Sequence, residues 1–213
     1  EMTTATHKLD FDNQFPPKDI KAFKRYRSLA LSNFDKANED HANYDQVVSR
    51  LGDAKRYTLK ALRVIPNDVD CLNLLSRIEL ESGNTTEAQK LIKTCISMSP
   101  ENGSVLYSCG LIEMALHNTQ QAMRYFEKAI KVAPRQTRSE VIIAHLLAQT
   151  GEYERSFQAY RELAKTHSQD PIFKSQLLSL ANRLVVNVYD IELEQDLINY
   201  LQCNDANLDN LGH

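Results

Sequence analysis

At 213 residues the chain has room for one extended domain, and length alone excludes neither a single globule nor a short solenoid. It holds only six Gly and six Pro against 42% hydrophobic and 25% charged residues, and its long stretches of Leu, Ala, Lys, Glu, Gln and Arg favour helices over strands. A formal net charge of −3 argues against a nucleic-acid or anionic-membrane partner, which usually demands a basic face, and no apolar run of about 18 residues offers a span for membrane insertion.

The first residues, Glu1 to Lys8, lack the charged-then-apolar layout of a signal peptide. A start at Glu1 in place of Met points to an excised or processed segment. Residues 1–17 are predicted to be flexible, with order beginning at Phe15, Pro16 and Pro17. Residues 18–68 read as a divergent first helix pair: one helix from Lys18 to about Asn38, a polar connection through Asn43, and a second helix from Tyr44 to Val64 that ends before Pro66.

From Pro66 onward the chain repeats itself. Pro66, Pro100 and Pro134 stand 34 residues apart, and the same offset links Ala54, Ala88, Ala122 and Ser156. It also links Ser76, Gly110 and Ala144, and Ala61, Cys95, Ala129 and Leu163. Large apolar positions follow it through Leu75, Cys109 and Ile143, and through Ile92, Phe126 and Tyr160. Antiparallel helix pairs explain each set. Small residues at Ser76, Gly110 and Ala144 let a first helix approach its second helix, which answers with Ala88, Ala122 and Ser156. Phe126 and Tyr160 are expected to fill the space between one pair and the next, and the prolines to stop each second helix. Gly83 and Gly151, two periods apart, are expected to end first helices in a left-handed conformation.

On these residues the segments 69–102, 103–136 and 137–170 resemble tetratricopeptide repeats, most closely through Gly110, Ala122, Phe126, Ala129 and Pro134. There are departures. The family's first-helix Trp position reads Leu72, Leu106 and Glu140, and Ser168 stands where the last proline belongs, with Pro171 arriving later. The resemblance implies an all-α fold, a right-handed solenoid of antiparallel helix pairs. Residues 171–187, with Phe173, Leu177, Leu178, Leu180, Ala181 and Leu184, are expected to form a capping helix.

Residues 188–213 read as a short amphipathic helix capped by Asp190, then a polar linker to a possible further domain. This tail resembles the junction at which bacterial tetratricopeptide arrays join a class I methyltransferase domain. No glycine-rich cofactor loop is present, so such a domain is expected beyond His213 or in another chain.

The sequence offers little chemistry of its own. The six His are scattered without an i, i+4 partner, and Cys71, Cys95, Cys109 and Cys203 form no metal-ligand spacing. The first three cysteines read as small buried hydrophobes, which fits a reducing, cytoplasmic compartment. No strained G-x-S-x-G turn occurs. Glu192, Glu194 and Asp196 read as a solvated helix face. No cofactor, metal or catalytic residue is expected, and the chain is read as no enzyme by itself.

Function is therefore sought in the surface. The resemblance implies that first helices line an inner, concave groove. By the family's register its candidate partner-binding residues are Asp70, Asn73, Arg77 and Leu80, then Ser104, Tyr107, Leu111 and Met114, then Arg138, Val141, His145 and Gln149. Arg77 and Arg138 would meet carboxylates, Asn73 and Gln149 a peptide backbone, and Tyr107 with Leu111 and Met114 would form an apolar pocket. The chaperone-tail clamp of the family is not expected, because its places hold Asn73, Arg77, Ser108, Arg138 and Ile142. The expected function is a scaffold or adaptor that binds a protein or peptide partner. The alternative is the substrate-recruiting or regulatory region of a larger enzyme such as a methyltransferase.

Overall fold

The computed structural model describes residues 15–39, 43–133, 137–166, 175–177 and 179–180. Among them every regular element is helical: α1 (Pro17–Glu39), α2 (Tyr44–Val64), α3 (Val69–Glu81), α4 (Thr85–Met98), α5 (Gly103–Ala115), α6 (Thr119–Val132), α7 (Thr137–Gln149) and α8 (Tyr153–Thr166). The chain divides into two units, Glu1–Val132 and Ala133–His213. In the first unit α1 pairs with α2, α3 with α4 and α5 with α6; in the second α7 pairs with α8. Outside the described residues lie most of the expected flexible start and capping helix, the whole tail, Pro134, Ser168, Pro171 and Cys203.

Helix ends repeat along with the core. Asp68 Oδ1 accepts from the Cys71 N–H at 2.8 Å, and Asn102 Oδ1 accepts from the N–H groups of Ser104 at 3.0 Å and Val105 at 3.3 Å. Each carboxylate or amide oxygen satisfies donors that a helix start leaves without an intrahelical acceptor. Asn43 does the same for α2. At their other ends the first helices α3, α5 and α7 close alike. Asn84 N–H donates to Glu79 C=O at 2.8 Å, Asn118 N–H to Glu113 C=O at 2.9 Å and Glu152 N–H to Leu147 C=O at 2.9 Å.

That closure needs a left-handed residue just before each donor. Gly83 (φ 81°) and Gly151 (φ 85°) take it as expected, and His117 (φ 61°) takes it between them. A side chain is disfavoured there. His117→Gly is expected to raise stability by about 0.5–1 kcal/mol, read as a higher urea midpoint; an unchanged or lower midpoint would contradict it.

The small-residue positions are where helices touch. Ser76, Ala88, Ala122, Ala144 and Ser156 are all fully buried. In the second unit Ser156 Oγ donates to Ala144 C=O at 2.6 Å, directly joining α8 to α7. In the first unit Gly110 lies under Phe126: a Cβ there would stand 2.5 Å from the ring. Phe126 also meets Tyr107 with ring centroids 5.7 Å apart. The ring therefore occupies the interior of its own pair, where the sequence reading put it between pairs. The gap left by Gly110 is what draws it in. Tyr160 is buried with Ala144, Phe157, Leu163, Ala164, Leu177 and Leu180.

Neighbouring pairs share cores. Ala30, Phe34, Ala37, Leu51 and Ala54 of the first pair pack with Leu74 and Ile78 of α3. Ala88, Ile92 and Cys95 of α4 pack with Val105, Cys109 and Ile112 of α5. The thiols of Cys71, Cys95 and Cys109 are free and buried. Burial raises the Cys95 thiol from its ordinary 9.0 to about 11 and the Cys109 thiol to about 12. It raises Cys71 as well, helped by the Asp68 carboxylate.

Folded thiols that hold their protons more tightly than unfolded ones stabilise the fold fully below pH 9.0, and this contribution is lost as pH rises through about 11 to 12. Tyr160, also raised by burial, acts in the same direction. Two results are expected: a urea midpoint that falls above pH 9, and alkylation of these thiols that is slow at pH 8 until urea unfolds the chain. A constant midpoint or rapid native labelling would contradict this account.

Candidate first-helix binding face

In the first unit α3 packs beside α5, and α1 touches α3, so first helices adjoin one another. Asp70, at the start of α3, is exposed and accepts from Arg27 Nη2 of α1 at 2.7 Å. With about half of each side chain in water, this pair fixes geometry more than it adds stability. One helical turn on, Asn73 is buried at 8% exposure, and its Oδ1 has no hydrogen-bond partner. The structure thus places it in the interior beneath the face. Arg77 is half-buried, its guanidinium 4.7 Å from the centroid of the Phe34 ring of α1, in cation–π contact. Leu80 is half-buried against the core shared by α4 and α5.

On α5, Ser104 is exposed, and Tyr107, Leu111 and Met114 are half-buried. Their spacing of four and then three residues stacks them along one side of the helix. Tyr107 meets the tilted ring of Phe126, which lies over Gly110.

In the second unit, described by itself, Val141 of α7 packs on the core while His145 and Gln149 are exposed. Gln149 Nε2 lies 2.9 Å from His145 Nε2, within hydrogen-bond distance. The side chain of Arg138 lies outside the described residues.

The sequence reading began the face at Asp70. The structure adds Arg27 of α1, which meets Asp70 of α3, and Leu31 one turn on, 40% exposed; Phe34 lies buried beneath Arg77. Their signal was present: Ala54, Ala61 and Pro66 mark α2 as a second helix, so the helix before it had to be a first helix. Another residue that the sequence did not single out is Glu79, whose carboxylate is 4% exposed and bound by Lys55 Nζ at 2.7 Å. Asn84 Nδ2 donates to the same carboxylate at 2.9 Å, a bond repeated one period later between Asn118 and Glu113.

Among the described residues no three His, Cys, Asp or Glu converge as a metal site, and no helix is long and apolar enough to cross a membrane.

Residues 69–102 and 104–136 match the family model described as tetratricopeptide repeat. Among solved structures, the chain is similar to the MamA protein, with 14% identity over 82% of this chain and 88% of the other at a TM-score of 0.57. It is similar to TTC0263, a thermophilic TPR protein of Thermus thermophilus, with 18% identity over 81% and 99% of the two chains at a TM-score of 0.55. YrrB, described as a TPR protein with an unusual peptide-binding site, shares 15% identity over 85% and 91% at a TM-score of 0.54. At such identities the likeness shows the fold. No curated protein matches the sequence.

Proposed function

Since this chain carries tetratricopeptide repeats, at 69–102 and 104–136, we propose that it is a scaffold that holds a peptide segment of another protein against the exposed side of its first helices. The observation that carries this reading is the row Ser104, Tyr107, Leu111 and Met114 on α5. Three large, half-buried side chains share one side of α5, and Arg27, Asp70 and Arg77 give α1 and α3 a charged surface. Such a surface offers an apolar anchor site with polar groups around it, the arrangement that concentrates binding energy in a few side chains. Helices brought side by side also let one extended or helical segment reach α3 and α5 together. In the second unit, taken by itself, Arg138, Val141, His145 and Gln149 of α7 are the proposed contact residues. The described peptide-binding site of YrrB supports the same kind of ligand. The buried free thiols fit a reducing compartment such as the cytoplasm.

The test is peptide-display selection on the purified chain, followed by titration of enriched peptides against the wild type and a Leu111→Asp, Met114→Asp variant. The variant is expected to weaken binding by about tenfold or more while keeping its helicity. Equal affinity in a folded variant would overturn the proposal.

A further inference from the structure

The packing of the first unit leaves apolar side chains exposed along one side of α2. Tyr44, Val48 and Leu59 are exposed there at 81%, 50% and 40%. With Gly52 they fall at spacings of four, four and seven residues, which places all four on one side of the helix. Gly52 is the anomaly. Gly83 and Gly151 hold left-handed backbone and Gly110 makes room for Phe126, whereas a Cβ at Gly52 would meet nothing within 4 Å. Glycine inside a helix weakens it relative to alanine, and no contact among the described residues accounts for one here. A second helix crossing close at that point would.

The two ends of the face are complementary in the antiparallel sense, and Lys55, between Val48 and Leu59 on the same side, is neutralised by Glu79 of α3. Asp45 lies near its N-terminal end and Arg63 at its C-terminal end, both exposed. A twofold axis near residues 53 and 54 sets Asp45 beside Arg63 of the partner subunit and Val48 against the partner's Leu59. It also brings the two Gly52 backbones to within about one helical turn of each other along the axis. We infer that this side of α2 is a homodimer contact, with Gly52 as the crossing point, Tyr44, Val48 and Leu59 as the apolar surface and Asp45 with Arg63 as the charge pair. It uses a second helix and is independent of the proposed first-helix binding face.

Sedimentation equilibrium on the full chain, from about 1 to 200 µM, tests it. The wild type is expected to approach twice the 24.3 kDa chain mass at the upper end. Gly52→Gln should remain folded, because its side chain enters open space and glutamine is the better helix former, yet its dissociation constant should rise about tenfold or more. Asp45→Arg should weaken self-association, and an equimolar mixture with Arg63→Asp should recover it as a heterodimer. A wild type that stays monomeric throughout, as it would if a different protein covered α2, overturns the inference. So does a Gly52→Gln variant that dimerises as tightly as the wild type.

Discussion

Phe126→Ala is expected to destabilise the first unit by about 3–5 kcal/mol, the largest effect of any single substitution argued for this chain. The ring is fully buried and lies over Gly110 and beside Tyr107, so its removal leaves a cavity that two helices cannot close. The reverse change tests the same contact from the other side. A Cβ at Gly110 would stand 2.5 Å from the ring, and Gly110→Val is expected to cost about 1–3 kcal/mol despite the intrinsic helix penalty of glycine. The two sites must also couple, so Gly110→Ala should be far less harmful in a Phe126→Leu background than alone. Urea denaturation of these variants reads this. Additive effects, or a harmless Gly110→Val, would contradict the packing described.

Lys55→Met is expected to cost about 2 kcal/mol, even though the lysine is 44% exposed. The cost falls on its partner. The Glu79 carboxylate is 4% exposed, and without Lys55 Nζ at 2.7 Å it keeps, among the described residues, the Asn84 amide at 2.9 Å. Removing one member of a fully buried pair typically costs about 3–5 kcal/mol, and water around the lysine end lowers the figure here. Replacing both groups, as Lys55→Met with Glu79→Leu, should recover most of the loss, because no charge is then left desolvated. A Lys55→Met variant as stable as wild type would show that the carboxylate finds water or moves outward.

The repeat was legible because contact positions between helices tolerate few residues. Ser76, Gly110, Ala144 and their answering Ala88, Ala122 and Ser156 cannot grow without parting the pair, so their spacing survives in the sequence even where surrounding residues differ. Helix ends were legible in part. Gly83 and Gly151 announced left-handed closures, but the third falls on His117, whose side chain hides the conformation that its register demands. The binding face was harder. Asn73 follows the register of an exposed position, yet it is 8% exposed. The residues of α1 are harder to place from sequence because its 23-residue length and the following connection break the period. Glu79 reads as an ordinary surface glutamate, and only a lysine 24 positions earlier in the chain makes its burial possible.

The central claim, that a peptide partner is held by the first helices, can be read at three methyl groups. Met114 lies on α5, a first helix, while Met98 and Met123 lie on α4 and α6, the second helices. With the methionine methyls labelled with carbon-13, a selected peptide is titrated into the chain and the spectra followed. The Met114 resonance is expected to move with peptide concentration while those of Met98 and Met123 hold still. Movement of Met98 and Met123 with a stationary Met114 would place the partner on the opposite face and contradict the claim.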